Sequence, residues 1–112
     1  MDFEIRKTTI EDLEQLPDLY KSAFGQETNI PKMYEKFEKL KSSFNDLFYS
    51  AVTKENELIG FVHVKIHEDM FEGCRDFATI WSVRSKYKRQ GVATKMFRFI
   101  EQELKKMDVD CI

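Results

Sequence analysis

Two alternating segments joined by a short polar turn are the sequence feature that most constrains the fold. Phe48–Lys54 alternates along its length, Glu55-Asn56-Glu57 is polar, and Leu58–His67 is a longer alternating segment. Alternation with a period of two on both sides of a short turn predicts a β-hairpin. The expected faces of the second strand are Leu58, Val62, Val64 and Ile66 on one side, and Ile59, Phe61, His63, Lys65 and His67 on the other. A sheet is therefore expected at the centre of the fold.

Another strand and a helix are predicted before this hairpin. A strand at Phe3–Thr8 is followed by Thr9, which fits the N-cap of a helix that runs to about Phe24. Pro17 should kink or break that helix, because proline removes a backbone donor and clashes with the preceding turn. Gly25 should end it.

Two further helices are predicted from amphipathic spacing. Pro31 fits the first turn of one of them. The expected apolar face of this helix consists of Met33, Phe37, Leu40 and Phe44. After the hairpin, Glu68–Asp76 is interpreted as a loop and Phe77–Val83 as a strand, and Gly91 then opens a helix. The expected stripe of that helix consists of Ala93, Phe97, Ile100, Leu104 and Met107, and Val109–Ile112 resembles the start of another strand.

The order of these elements determines the predicted fold class. Hairpin connections are combined with one strand–helix–strand crossover, which favours an α/β (α+β) domain with a mixed sheet. With 112 residues and no internal repeat, residues 1–112 are predicted to form a single domain.

Composition excludes several classes of protein. Hydrophobic residues make up 42% and charged residues 34% of the chain, as in a soluble globular domain rather than a disordered one. No apolar run approaches the roughly 20 residues of a membrane span, and the charged N-terminal segment is unlike a signal peptide. Cys74 and Cys111 fit no metal-binding or redox spacing, so a reduced, cytoplasmic location is expected.

The net charge of −2 conceals a cationic segment. Between positions 84 and 98 the chain has no acidic residue and six basic ones, namely Arg84, Lys86, Lys88, Arg89, Lys95 and Arg98. The rest of the chain is acidic on balance. A cationic segment in an acidic protein favours a local anionic ligand over nucleic acid.

The junction between the predicted strand ending at Val83 and the helix opened by Gly91 is the strongest functional pattern. Gly91 and Ala93 allow a ligand to approach the backbone closely. The free amides and the positive dipole end of a helix start bind phosphate well, and neighbouring Lys and Arg add charge. The junction lacks the glycine patterns of nucleotide P-loops and dinucleotide-binding folds.

These residues resemble the signature of the acetyl-CoA-dependent N-acetyltransferase (GNAT) superfamily. In that signature, Arg or Gln is followed by two residues, Gly, one residue, and Gly or Ala, after a strand that ends in Val. Here Val83 ends the predicted strand, Lys88 takes the first position, and Gly91 and Ala93 match. The order of elements is also similar to that of the family. The resemblance implies a GNAT-like acyl-CoA N-acyltransferase fold that is truncated after the start of the fifth strand, with the C-terminal part of the domain absent.

The resemblance further implies acetyl-CoA as co-substrate, with no metal. Backbone amides would hold the pyrophosphate, and the end of the strand Phe77–Val83 would pair with the pantetheine. The implied cofactor-binding residues are Val83, Lys88, Arg89, Gln90, Gly91, Val92, Ala93 and Thr94. A primary amine would enter from the opposite side and attack the thioester carbonyl directly.

The catalytic residues remain unknown at this point. Many family members use a Glu on the fourth strand as base and a Tyr after the fifth strand as acid. Here Phe77–Val83 has no carboxylate, and the sequence ends at Ile112. A substrate-facing role for His63, Glu68 or Asp69 is left open, because the loop after the strand Leu58–His67 can border the acceptor cleft.

Three classes of function remain open. The first is an N-acetyltransferase acting on a primary amine, and the second is a CoA-binding regulatory module or a catalytically incomplete fragment. A nucleic-acid-binding domain is the least favoured, since the bases are confined to one short segment. We expect neither nucleic acid nor a membrane as partner. A homodimer that completes the unfinished sheet is a further expectation.

Overall fold

The predicted order of strands and helices is confirmed wherever the structure describes the chain. The structure is a computed structural model that describes residues 2–25, 27–67, 77–83 and 91–107. Its elements are β1 (Phe3–Lys7), a 3-10 helix (Ile10–Glu14), α1 (Leu16–Phe24), α2 (Ile30–Leu40), β2 (Asp46–Thr53), β3 (Leu58–His67), β4 (Phe77–Val83) and α3 (Val92–Lys106). The predicted loop 68–76, the turn 85–90, the fifth strand 109–112 and both cysteines lie outside the described residues.

The described strands form one antiparallel sheet in the order β1-β2-β3-β4. Ser50 of β2 pairs with both Arg6 of β1 and Phe61 of β3, and Phe61 pairs in turn with Val83 at the end of β4. The α/β class is thus confirmed. The crossover that would add a parallel strand falls in the segment that is not described.

β3 contains a one-residue bulge close to its beginning. Ala51 of β2 pairs with Gly60, but Val52 pairs with Leu58, so Ile59 is the extra residue. Leu58 consequently packs towards α1 and α2, and Ile59 packs towards α3. The prediction assigned each of these two side chains to the opposite face. It is wrong at this point because a bulge reverses the alternation of side chains along a strand.

The two faces of the sheet are covered by different helices. The cluster beneath α1 and α2 contains Leu13, Leu16, Leu19, Phe37, Val52, Leu58 and Phe61. The cluster beneath α3 contains Tyr49, Ala51, Ile59, Val62, Val64, Ile66, Val92, Met96, Ile100 and Leu104. Both clusters draw on β2 and β3, which therefore lie at the centre of a three-layer arrangement. No helix in the described ranges is long and apolar enough to cross a membrane.

The predicted first helix consists of two pieces that meet at Gln15. Pro17 lies in the first turn of α1, so its missing N–H costs no helical bond. Gln15 uses both ends of its side chain amide on the hairpin turn: Oε1 accepts from the Leu58 amide at 2.8 Å, and Nε2 donates to the Asn56 carbonyl at 2.6 Å. As predicted, Gly25 ends α1, with a φ of 68°. The break at Gln15 thus fastens the helical layer to the hairpin.

The predicted apolar face of α2 extends too far. Asn29 caps this helix by accepting a hydrogen bond from the Lys32 amide, and the helix ends at Leu40. Phe37 is buried, whereas Phe44 lies beyond the end of the helix and is 93% exposed. The prediction that Phe44 belongs to the apolar face of α2 is therefore wrong, because a spacing of three or four residues places side chains on one face only within a helix.

The predicted stripe of α3 is rotated relative to the buried one. The buried residues of α3 are Val92, Met96, Ile100 and Leu104. Ala93, Phe97 and Met107 are exposed, so only Ile100 and Leu104 were assigned correctly. Two overlapping apolar stripes exist on this helix, and packing against the sheet selects the one that begins at Val92.

Candidate functional site

The junction identified from the sequence lies at the N-terminal end of α3. Gly91 precedes the helix with a φ of 75° and a ψ of 15°, in the left-handed region that favours glycine. The first helical hydrogen bond of α3 runs from the Lys95 amide to the Gly91 carbonyl over 3.0 Å. The amides of Val92, Ala93 and Thr94 therefore have no partner within the helix. They lie at its positive end, where an anion is stabilised.

A glycine on β3 allows this end of α3 to approach the sheet. A Cβ atom added to Gly60 would lie 2.7 Å from Met96 Sδ and 3.3 Å from Val92 Cγ1. Both of those side chains are buried, with Val92 only 1% exposed. The first turn of α3 is thus positioned by direct contact with the bulged part of the hairpin.

Five of the eight residues predicted to bind the cofactor fall within the described part of the chain. Val83 is the last residue of β4, and Gly91 is the N-cap of α3. Ala93 and Thr94 are exposed, whereas the Val92 side chain is buried, so Val92 offers a ligand only its backbone. Lys88, Arg89 and Gln90 lie outside the described residues.

Two of the six bases in the cationic segment are described, and both lie on α3. Lys95 is placed over the Phe3 ring of β1, with Nζ 5.0 Å from the ring centroid. Lys95 and Arg98 also line a cavity of about 280 Å³ beside β1, together with Phe3, Ile5, Phe99 and Gln102. Positive charge therefore continues along the flank of α3 that adjoins β1.

A carboxylate–imidazole pair lies on the opposite face of the sheet. The Nε2 atom of His63 on β3 is 2.7 Å from Oδ1 of Asp46 at the start of β2. Asp46 is only 6% exposed, whereas the His63 side chain is 24% exposed. The imidazole stacks on Phe48, with ring centroids 4.3 Å apart and an angle of 18° between the planes. The ring is held in place while part of it remains accessible to solvent.

Sequence reasoning identified His63 but missed Asp46. The predicted strand began at Phe48, whereas β2 begins two residues earlier at Asp46. In the observed register Phe48 is opposite His63, so a residue two positions before Phe48 lies diagonally across from the imidazole on the same face. A predicted strand that began at Asp46 would have placed its carboxylate near His63.

A second buried carboxylate, Asp12, has an entirely different environment. Arg6 donates two hydrogen bonds to it, from Nη1 at 2.7 Å and from Nη2 at 2.9 Å, and the Thr9 amide donates a third at 3.0 Å. Burial raises the pKa of Asp12, but the hydrogen bonds from Arg6, Thr9 and Ser50 outweigh it, and the net pKa is lowered. The same hydrogen bonding raises the pKa of Arg6. This pair is an ionic contact that joins β1 to the 3-10 helix.

Two tyrosines among the described residues also have shifted pKa values. Burial raises the pKa of Tyr20, and burial together with the charge of Glu103 raises the pKa of Tyr49. Tyr49 lies in the cluster beneath α3 with its ring against Phe99. Within the ranges described, no three His, Cys, Asp or Glu side chains are grouped so that they could hold a metal ion.

Comparison with protein families gives a match over most of the chain. A model described as the acetyltransferase (GNAT) family matches residues 13–112, which include the whole junction between β4 and α3. A search of curated protein sequences found no significant match.

Solved structures with a similar fold are numerous. A GNAT family acetyltransferase from Staphylococcus aureus subsp. aureus USA300_TCH1516 has a TM-score of 0.82 at 18% identity, over 100% of this chain and 84% of that one. Glucosamine-6-phosphate N-acetyltransferase from Arabidopsis thaliana has a TM-score of 0.80 at 17% identity, over 99% of this chain and 80% of the other. The aminoglycoside N-acetyltransferase AAC(6')-Iy in complex with CoA has a TM-score of 0.78 at 17% identity, over 98% of this chain and 74% of that chain. At these identities the likeness establishes the fold.

Proposed function

Because this chain belongs to the acetyltransferase (GNAT) family, we propose that it transfers an acetyl group from acetyl-CoA to a primary amine. The observation that carries the proposal is the start of α3, where left-handed Gly91 precedes three backbone amides without helical partners. Amides at a helix start suit a pyrophosphate, which is the anionic part of CoA. The fold shared with a CoA-bound aminoglycoside N-acetyltransferase supports the same choice of co-substrate.

In this proposal each part of CoA is assigned to a particular element. The pyrophosphate is held by the amides at the start of α3, with added charge from Lys88 and Arg89. The pantetheine pairs with the end of β4 near Val83. Apart from its neighbours in the chain, no described residue would have an atom within 4 Å of a Cβ atom built on Gly91, so this part of the structure leaves the backbone open to a ligand.

The proposed chemistry is a direct transfer without an acyl-enzyme intermediate. The amine nitrogen attacks the thioester carbonyl carbon, the new C–N bond forms, and the C–S bond breaks to release CoA. Holding both reactants in one orientation supplies much of the acceleration, because it removes the entropic cost of bringing them together. The protein must also take up a proton from the ammonium group before the nitrogen can attack.

Further parts of the proposal concern organisation and location. We treat residues 1–112 as one domain, and we propose that two copies pair along the sheet, since β4 is an edge strand in the described part of the sheet. Light scattering of the purified chain tests the pairing, and a monomer at all concentrations would contradict it. A cytoplasmic location is also proposed, and the isolated positions of Cys74 and Cys111 in the sequence support it.

Calorimetric titration of acetyl-CoA into the protein and into Gly91→Val tests the proposal. Unmodified protein should bind acetyl-CoA with micromolar affinity. Gly91→Val should weaken binding by at least about tenfold, because a branched side chain at positive φ distorts the helix start and occupies the space beside the amides.

Gly25→Val is the matched control. Gly25 has a φ of 68°, and a Cβ atom added to it, as at Gly91, would have no atom of the described residues within 4 Å apart from its neighbours in the chain. The same substitution therefore carries the same backbone strain, at the end of α1 instead of the start of α3. Equal loss of binding in both variants, or no binding by the folded unmodified protein, would contradict the proposed site. Binding without acetylation of any amine would favour the alternative of a CoA-binding module.

A further inference from the structure

Transfer to a primary amine requires a base, and the pair formed by His63 and Asp46 has the features of one. We propose that His63 is the general base that removes the proton from the acceptor ammonium, with Asp46 as its positioning residue. This inference rests on the proposed function, since it names a catalytic group for that same reaction.

The hydrogen bond to Asp46 determines which nitrogen of the imidazole is available. A carboxylate accepts hydrogen bonds and does not donate them, so Nε2 of His63 carries the proton in the 2.7 Å contact. The lone pair is then on Nδ1, and no described residue is hydrogen-bonded to that atom. The side chain is 24% exposed, so a substrate or a water molecule can approach the ring.

The position of His63 in the sheet fits the direction from which an acceptor would enter. His63 lies on the face covered by α1 and α2, where it stacks on Phe48, whereas α3 covers the other face. Its partner in the adjacent strand is Trp81, two residues before the end of β4 at Val83. Two residues correspond to about 7 Å along a strand. The imidazole is thus close to the end of β4 but on the side opposite the proposed CoA site.

The contrast with Asp12 argues against a purely structural role for Asp46. Both carboxylates are about equally buried, with 5% and 6% exposure. Asp12 is neutralised by an arginine that keeps its charge at all relevant pH values, which makes a permanent ionic contact. Asp46 is paired with an imidazole, whose second ring nitrogen can accept a proton.

In the part of the chain whose side chains the structure describes, charged groups near His63 come from β2, β3 and the lining of an adjoining cavity. Asp46 of β2 is in contact with it, and Lys65 follows two residues later on the same face of β3. Lys41, just after α2, lines a cavity of about 330 Å³ that also includes Asp46. In β4 the residues that pair with Phe61, His63 and Lys65 are Val83, Trp81 and Thr79, and none of them is a charged residue type.

The proposed step moves two protons, one before and one after the acetyl transfer. Nδ1 of His63 accepts one proton from the ammonium group, and the neutral amine attacks the thioester carbonyl carbon. The C–S bond breaks, the departing thiolate takes the second proton from the newly bonded nitrogen, and the imidazolium returns its proton to solvent. The products are the acetamide, CoA thiol and one proton.

His63→Gln, His67→Gln and Asp46→Asn test this role at saturating acetyl-CoA. Release of CoA thiol is measured with n-propylamine, spermidine and glucosamine between pH 6 and pH 9, and the fastest acceptor is used for all variants. Gln at position 63 retains an N–H donor for Asp46 but has no basic nitrogen. We expect kcat to fall by about a hundredfold or more in His63→Gln. Without a base, the reaction should depend on acceptor that is already unprotonated in solution, so kcat/KM of His63→Gln should rise steadily with pH over the whole range. Calorimetric affinity for acetyl-CoA should be unchanged.

The other two variants separate catalysis from structure. His67 is exposed, on the same strand and face, so His67→Gln should retain activity within about twofold and is the matched control. An Asn at position 46 can both donate to Nε2 and accept from it, so Asp46→Asn no longer fixes which ring nitrogen carries the proton. We expect kcat to fall, while the KM for the amine and the affinity for acetyl-CoA change by less than about twofold. Full activity in His63→Gln, or an equal loss in His67→Gln, would overturn the role of His63 alone. If the unmodified protein acetylates none of the three amines, the proposed function fails and this inference fails with it.

Discussion

Asp12 and Asp46 show how a partner side chain decides the role of a buried carboxylate. Each is almost inaccessible to solvent, and each has an oxygen 2.7 Å from a nitrogen of its partner. The bidentate guanidinium on Asp12 leaves no free base and adds rigidity between β1 and the 3-10 helix. The imidazole on Asp46 leaves one nitrogen free, so only this second pair is suited to moving a proton.

Asp12→Asn should destabilise the protein by about 2 kcal/mol at pH 7, since it replaces an ionic pair and leaves Arg6 without its carboxylate. The pKa of Asp12 is lower in the folded protein than its ordinary value. The unfolded chain therefore binds a proton more readily than the folded protein. The contribution of ionised Asp12 to the free energy of unfolding is complete above about pH 5, and it is lost as the pH falls through the pKa of Asp12 in the folded protein. Urea unfolding should show a difference in the free energy of unfolding between the unmodified protein and Asp12→Asn, and this difference should be smaller at pH 3 than at pH 7.

Asp2→Asn is the control for this series. Asp2 forms an exposed ion pair with Lys54 at 3.3 Å, and such pairs contribute less than about 1 kcal/mol. If the difference in the free energy of unfolding between the unmodified protein and Asp12→Asn did not depend on pH, the contact of Asp12 with Arg6 would not act as an ion pair.

At the level of elements, the first turn of α3 connects packing with the proposed function. Val92 and Met96 contact the β3 bulge around Gly60, while the exposed backbone of the same turn faces solvent. The distance between helix and sheet thus depends on the absence of one side chain on β3. Substitutions at Gly60 and Met96 test the packing of this turn, and substitutions at Ala93 test its backbone.

Gly60→Ala should destabilise the protein by about 1–3 kcal/mol, because the added methyl group would overlap Met96 Sδ. Met96→Ala alone should also be destabilising, since it leaves a cavity. The double variant should be more stable than the sum of the two effects predicts, because each change relieves the other. Chemical denaturation of the unmodified protein, the two single variants and the double variant measures this coupling. Strictly additive changes in the free energy of unfolding would show that α3 moves away from the sheet to accommodate the methyl group.

Ala93→Pro should weaken acetyl-CoA binding by about tenfold through loss of one amide donor. Both α1 and α2 have proline as their second residue, namely Pro17 and Pro31, and Ala93 is the equivalent exposed position of α3. Proline in a first turn removes an N–H that makes no helical bond, so the helix should persist. Calorimetry measures the affinity and circular dichroism the helix content.

Ala93→Val adds a side chain of similar size but keeps the amide. It should bind acetyl-CoA with nearly the affinity of the unmodified protein. Equal affinities for Ala93→Pro and Ala93→Val would mean that this amide does not contact the ligand.

At the level of the whole molecule, the sheet separates two regions with different chemistry. The helix start proposed to bind CoA is on the side of α3, and the carboxylate–imidazole pair is on the side of α1 and α2. An arrangement with one reactant on each side fits a transfer between two bound substrates, as proposed above. The GNAT fold and family membership are established independently of that proposal.

Local periodicity allowed much of this arrangement to be predicted, and the errors have physical causes. Val62 and Val64 follow the alternation of a regular strand and were assigned correctly. Ile59 was misassigned because a bulge depends on pairing with another strand, which single-strand periodicity does not contain. The conformation of Gly91 could be anticipated because glycine tolerates positive φ, whereas the pairing of Asp46 with His63 depends on the register between strands.

The hairpin formed by β2 and β3 contributes side chains to both hydrophobic clusters. On β2, Tyr49 and Ala51 belong to the cluster beneath α3, whereas Val52 belongs to the cluster beneath α1 and α2, and β3 likewise contributes to both. Removing the helices from either side would uncover strands that still support the opposite side. We therefore expect the two helical layers to unfold together, and a substitution that destabilises the layer around His63 should also reduce the stability of the start of α3.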